Sequence, residues 1–288
     1  DAGSYSVTAA NSAGVATSAA ATLAISAPGK LTSVSAQAIS APWGASALQL
    51  SFTLSGGSKA LVVRGIGPGL APFTTATLFA DPVLKISAGT SLVASNDNWG
   101  GSASLADAFV RVGAFPLAPK SADAALLFTF PAGVLNAAIG GKSGGMALAE
   151  IYDADGSQPS LGRLTRVSAR GSVGTKSALL TTTFVISGST PVHLLIRALG
   201  PSLSGLPDVL NNPKLELYRG TALVAQNDNW GGTAALTALF KTAGATPLSA
   251  KSKDAAIDVT LSPGIYSAVI SPANTDSGLA QVGFYPLP

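Results

Sequence analysis

The 288 residues include no cysteine, which removes disulfide frames and thiolate chemistry together. Histidine occurs once, at His193, so a zinc centre built from several His or Cys ligands is not expected. Charge is scarce. Asp, Glu, Lys and Arg make up 11% of the chain, against about 25% in ordinary soluble domains. The seventeen basic residues are scattered and leave a net charge of only +3. Nucleic-acid grooves ask for a basic stripe with stacking aromatics, so no nucleic-acid partner is expected. Long apolar runs are missing too. The most apolar stretch, Ala124 to Gly141, is interrupted by Thr129, Pro131, Gly133 and Asn136. It reads as strand, turn, strand, and no membrane span is expected.

What is present is a folded composition. Apolar residues reach 47%, which is not the signature of disorder. Ala, Gly, Ser and Thr fill the space that charge leaves, and a neutral, hydroxyl-rich surface resists self-association poorly. The chain opens on Asp1 with no signal peptide, the pattern expected of a portion of a longer product.

The strongest signal is an internal repeat. Asn96-Asp97-Asn98-Trp99-Gly100-Gly101 returns as Asn227-Asp228-Asn229-Trp230-Gly231-Gly232, and Arg64-Gly65-Ile66-Gly67-Pro68 returns as Arg197-Ala198-Leu199-Gly200-Pro201. A repeat of this length fixes the unit of folding. Within a copy, period-two alternation marks strands: Leu48, Leu50, Phe52 and Leu54 in the first, Leu180, Thr182, Phe184 and Ile186 in the second. Ala60 to Ile66 and Val192 to Leu199 are nearly continuous apolar runs, suited to central strands. One short helix per copy is expected, with Leu105, Ala108, Phe109 and Val112 on one face, matched by Leu236, Leu239, Phe240 and Ala243. Ser102 and Thr233 are the expected N-caps. Gly113 and Gly244 are the expected stops. The helix is expected to lid one open end of a sandwich.

The expected fold is therefore all-β. Two tandem jelly-roll-like β-sandwiches, each with one short helix, occupy residues 28–156 and 157–288. Residues 1–27 form a preceding hairpin and linker.

Two resemblances add to this. Asp1-Ala2-Gly3-Ser4-Tyr5-Ser6-Val7, the turn Asn11 to Gly14 and the run Ala19 to Ile25 resemble the last two strands of an I-set immunoglobulin domain. That resemblance implies a tyrosine corner at Tyr5, although Val7 stands where the family carries cysteine. Leu215-Glu216-Leu217-Tyr218, Leu223 to Asp228, Pro263-Gly264-Ile265-Tyr266 and the closing strand to Tyr285 resemble pre-peptidase C-terminal modules. The whole repeat resembles uncharacterised tandem modules of large secreted bacterial proteins. Both imply an extracellular or cell-surface setting and no known catalysis.

For the Asn-Asp-Asn-Trp-Gly-Gly segments two readings stay open. Asn96, Asp97 and Asn98 with Asp123, and Asn227, Asp228 and Asn229 with Asp254, offer oxygens for Ca²⁺, which takes six to eight. The other reading is an Asx turn with Trp99 or Trp230 plugging the sandwich. Arg64 and Arg197 lie inside apolar strands and need partners, because an unpaired buried charge is costly. Asp123, Asp254, Asp97 and Asp228 are the expected ones, in a structural pair bracing the Gly-Pro turn. His193 has Ala60 as its counterpart and carries no expected chemical duty. Gly141-Lys142-Ser143 lacks the glycine a phosphate loop needs five residues earlier, where Asn136 stands.

The expected function is that of a non-enzymatic structural or adhesive segment of a surface fibre. Its subunits would associate with one another as a homopolymer, through the apolar side of the hairpin: Tyr5, Val7, Leu23 and Ile25. The alternative is an accessory module of a secreted hydrolase that holds polysaccharide or cell wall, with Trp43 as a stacking platform.

Overall fold

A computed structural model of the chain describes residues 2–24, 26–155, 162–175 and 178–288. The N-terminal segment forms β1 (Gly3–Tyr5), β2 (Thr8–Asn11), β3 (Gly14–Thr17) and β4 (Ala21–Leu23). β1 pairs with β4 and β2 with β3, giving one long hairpin in two pieces. Its turn is tied by Asn11, whose Oδ1 accepts from the amides of Ala13 and Gly14 at 2.9 and 3.1 Å.

The first repeat supplies β5 (Lys30–Ser40), β6 (Leu48–Ser55), β7 (Lys59–Ile66), β8 (Val83–Ala88), β9 (Ser91–Asn96), helix α1 (Ala103–Val112), β10 (Ala124–Phe130), β11 (Gly133–Gly140) and β12 (Gly145–Asp153). The second supplies β13 (Arg163–Val173), β14 (Leu180–Ser187), β15 (Val192–Leu199), β16 (Pro213–Arg219), β17 (Ala222–Asn227), helix α2 (Ala234–Thr242), β18 (Ala255–Leu261), β19 (Gly264–Pro272) and β20 (Gly278–Pro286). Among the described residues each copy thus has eight strands and one α-helix, and the chain is an all-β sandwich protein.

The copies do not form two separate sandwiches. One sheet runs β10-β7-β12-β5-β14-β19-β16-β17, and the other runs β9-β8-β11-β6-β13-β20-β15-β18. Each sheet takes four strands from each repeat. The seams exchange strands symmetrically. In one seam Val34 of β5 faces Phe184 of β14; in the other Val167 of β13 faces Phe52 of β6. These are equivalent residues in swapped roles, so a pseudo-two-fold axis relates the copies, with the isologous pairing of a symmetric dimer. A single Ser172–Ile39 bridge links the sheets where β13 and β5 meet.

The sheets stack face to face, and their inner side chains form one core that passes through both repeats. Leu31, Leu50, Phe52 and Phe130 belong to it, as do Val167, Leu180, Phe184 and Phe284. Ring pairs cross the gap from the equivalent residues Phe52 and Phe184: Phe52 with Phe130, 6.1 Å between centroids, and Phe184 with Phe284, 4.8 Å.

The helices do not lid an open end. α1 packs on β7 and β10, against the outward side chains Val62, Ile66 and Ala125, which form a small second core with Trp99 and Phe109. Hence the near-continuous apolar run of β7: Leu61 and Val63 face the sandwich interior, while Val62 and Ile66 face the helix. α2 makes the equivalent core on the other sheet with Leu195, Trp230 and Phe240. Gly113 stops α1 at φ 72° with its amide on the carbonyls of Phe109 and Val110. Thr233 caps α2, its Oγ1 accepting from the Leu236 amide at 3.3 Å. Ser102 holds the N-cap position without capping, since its hydroxyl pairs with Ser104 instead.

Candidate functional site

The two buried arginines mark equivalent places under the two helices, and they differ. Arg64 lies on the helix side of β7 and is fully buried. Its partner is Glu150, directly opposite on β12, and not Asp123 or Asp97 as the sequence suggested. Arg64 Nε donates to Glu150 Oε2 at 2.7 Å, and Nη2 lies 2.5 Å from the same oxygen. Nη1 donates to the Phe115 carbonyl at 2.6 Å. The rings of Phe115 and Phe109 lie 4.4 and 4.8 Å from the guanidinium carbon. The Tyr152 hydroxyl donates to the free carboxylate oxygen Oε1 at 2.7 Å. Burial, and then the Glu150 charge, hold that hydroxyl far above the usual tyrosine range, so it stays protonated. The pair is buried, and Nη2 alone of the guanidinium nitrogens meets the carboxylate by charge contact without a well-formed hydrogen bond.

Arg197 is equally buried, but its cross-strand neighbour is Gly283, where the first copy has Glu150. The counterpart of Phe115 is Thr246. None of the Arg197 Nε, Nη1 or Nη2 atoms finds a hydrogen-bond partner among the described residues. Only rings attend it: Phe240 at 4.5 Å and Tyr285 at 5.9 Å. Burial lowers its pKa below the ordinary arginine value, while Tyr285 and Asp254 act in the opposite sense.

The aspartates assigned to the arginines serve the Gly-Pro turns directly. Asp123 Oδ1 accepts from the amides of Gly67 and Gly69 at 2.8 and 3.1 Å, and Oδ2 accepts from the Ser121 hydroxyl at 2.5 Å. Asp254 does the same for Gly200 and Ser202 and also accepts from the Ser252 hydroxyl. The turn leaves no room for a side chain, since a Cβ on Gly67 would stand 1.9 Å from the Phe79 carbonyl oxygen. The brace is therefore a carboxylate on backbone amides, and the arginine takes no part in it.

The Asn-Asp-Asn segments are braces of the same kind. Asn96 Oδ1 accepts from the Ala125 amide at 3.0 Å and its Nδ2 donates to the Asn98 carbonyl at 3.0 Å. Asn227 repeats this with Ala256 and Asn229. Trp99 and Trp230 plug the helix-side cores rather than the sandwich, each donating its indole N–H at 3.0 Å, to the carbonyls of Ala118 and Ser249. The oxygens of Asn96, Asn227, Asp123 and Asp254 that were assigned to Ca²⁺ thus face protein donors. Asp97, Asn98, Asp228 and Asn229 lie in the turns themselves. No group of three His, Asp or Glu side chains converges among the described residues.

No family model and no curated protein matches this chain. Among solved structures, a chain from the atomic structure of Sulfolobus turreted icosahedral virus is 13% identical over 90% of this chain and 91% of its own, with a TM-score of 0.22. The STIV MCP crystal structure is 12% identical over 99% and 92%, again at 0.22. At that score the likeness bears on neither mechanism nor function.

The remaining sequence candidates fall at separate places. Tyr5, Val7 and Leu23 lie on the hairpin, and all are exposed; Ile25 lies outside the described residues. Trp43 is half exposed, but its ring packs on Gly140, and Lys85 Nζ sits 4.4 Å from the ring centroid. His193 Nε2 is 2.6 Å from Asp258 Oδ1 near the rim of β15. Gly141 to Gly145 has the Gly-x-Ser-x-Gly spacing, contrary to the expectation that the sequence holds no such motif. It joins β11 of one sheet to β12 of the other, not the strand and helix a nucleophile elbow requires. Sequence reading also missed Glu150 and Lys59. Lys59 is buried 2.9 Å from Asp153 and 2.5 Å from Asp155. The available signal was a charged residue inside an apolar strand for Glu150 and at the head of one for Lys59.

Proposed function

We propose that the chain is a non-enzymatic structural or adhesive unit of an extracellular bacterial fibre, whose subunits join by β-strand addition. The observation that carries this reading is the uncovered hairpin. Tyr5, Val7, Val15 and Leu23 are 50, 73, 70 and 52% exposed. A two-stranded ribbon with no covered face is marginal in water, so its apolar side calls for a second body. Acceptors are available on the same molecule type. β9, β10, β17 and β18 each pair on one side only. The exposed Leu92, Leu127, Phe128, Leu223 and Val224 leave β9, β10 and β17 without the charges and prolines that blunt natural edges, whereas β18 carries the exposed Asp258. A hairpin donated to a neighbour's edge is a head-to-tail contact, which propagates a filament instead of closing a ring.

No helix among the described residues is long and apolar enough to cross a membrane. The polysaccharide alternative is less well served by Trp43, because Gly140 and Lys85 already occupy its surroundings.

Deleting residues 2–24 tests the assembly reading. The full chain is expected to form filaments by negative-stain microscopy and light scattering. The shortened chain is expected to stay monomeric with an unchanged melting temperature, since the hairpin contributes nothing to the common core. Filaments from the shortened chain, or a full chain that stays monomeric at every concentration, would contradict it.

A further inference from the structure

The contrast between Arg64 and Arg197 points to a ligand site in the second repeat. A cavity of about 620 Å³ lies beside Arg197, lined also by Ser204, Thr246, Lys251 and Gln281. That size suits a small organic ligand. The first copy shows what this arginine binds when satisfied: a carboxylate on Nε and Nη2, and a carbonyl oxygen on Nη1. Both partners are missing in the second copy, the carboxylate by replacement and the carbonyl by lack of contact. Gly283 takes away the carboxylate, and Thr246 brings neither the Phe115 ring nor a bonded carbonyl. A buried guanidinium without acceptors is destabilising, and arginine cannot escape by losing its proton. The cost is met wherever a ligand supplies the missing oxygens.

We propose that the Arg197 cavity binds a carboxylate-bearing sugar of the uronic acid class. Its carboxylate meets the guanidinium from the Thr246 side of the cavity, because Tyr285 fills the place that Glu150 occupies in the first repeat. The fork of Arg197 matches a carboxylate in two-point contact. Hydroxyl, amide and ammonium groups on the wall suit a polyhydroxylated ring. Local charge favours an anion, because the second repeat has Arg166 and Arg170 where the first has Ser33 and Gln37. Arg166 lies over Tyr285 at 4.9 Å, and Tyr285 in turn covers Gly283, where a Cβ would meet its ring at 2.8 Å. Arg197 is fully covered without ligand, and one wall of the cavity is the loop between α2 and β18. Ligand entry therefore lifts that loop. This inference is independent of the assembly reading, since the hairpin takes no part in the cavity.

The test is calorimetric titration and thermal shift of the full chain with D-glucuronate, D-glucose, inorganic phosphate and a uronate oligosaccharide. Glucuronate is expected to bind at one saturable site and raise the melting temperature, glucose to do neither, and phosphate to bind more weakly. Arg197→Met removes charge-assisted hydrogen bonds and is expected to weaken glucuronate roughly ten- to hundredfold, while melting no lower than the parent chain. Thr246→Phe restores the ring of the first copy, closes the cavity and is expected to abolish binding with Arg197 intact. An oligosaccharide that binds at least as tightly as the monomer assigns the site to polymer ends, and a preference for the monomer assigns it to the free acid; either supports the proposal. Absence of glucuronate binding, equal binding of phosphate and glucuronate, or unchanged affinity in both variants would overturn it.

Discussion

Replacing Glu150 with alanine is expected to cost about 3–5 kcal/mol of folding stability, the scale for breaking a buried pair from one side. Arg64 would then keep its charge with no acid within reach, because Asp123 is committed to the amides of Gly67 and Gly69. The reverse change, Arg64→Met, is expected to cost less. A lone buried carboxyl can take up a proton and go neutral, and the Tyr152 hydroxyl already bonds to it, whereas a guanidinium has no such route. The double change Arg64→Met with Glu150→Leu is expected to recover most of the loss, since buried pairs are often replaceable by apolar groups of similar volume. Urea unfolding of the three variants checks the order. Equal and small losses in both single variants would mean that the pair is not the buried unit described here.

Ser35→Pro is expected to damage both repeats at once. Ser35 sits in the middle of β5, opposite Glu150 of its own repeat and Thr183 of the other. Proline removes the ladder donor and does not fit a central strand. The expected loss is at least about 3 kcal/mol, comparable to proline inside a helix. Trp99 and Trp230 lie in the helix-side cores of different repeats, so variants that lack Trp43 and keep only one of these two report each half separately by fluorescence. Both reporters are expected to shift to lower urea together. A Trp230 transition that stays in place would show that the second repeat folds without β5.

The strand complement was legible because alternation such as Leu48-Gln49-Leu50-Ser51-Phe52 fixes which side chains are buried. The same alternation says nothing about whose strand lies alongside. Val34 would bury its side chain equally well beside β6 of its own copy or beside β14 of the other, so the exchanged seams left no local trace. The position of the helices was half legible. The runs Ala60–Ile66 and Val192–Leu199 are apolar on both faces, which requires cover on both, and only the helix was free to supply the outer one. The arginine partner was not legible in the repeat, because the acids that recur in both copies are not the ones that reach the arginines. Asp123 and Asp254 recur, whereas Glu150 has no counterpart. The departure from the repeat, Glu150 against Gly283 and Phe115 against Thr246, is what separates the surroundings of Arg64 from those of Arg197.

Differential scanning calorimetry of the full chain tests most directly whether the two copies are one folded body. One core crossing both seams requires a single transition whose calorimetric and van't Hoff enthalpies agree. Two resolved transitions, each accounting for about half of the heat, would mean that the repeats are independent sandwiches and that the exchanged seams do not hold them together.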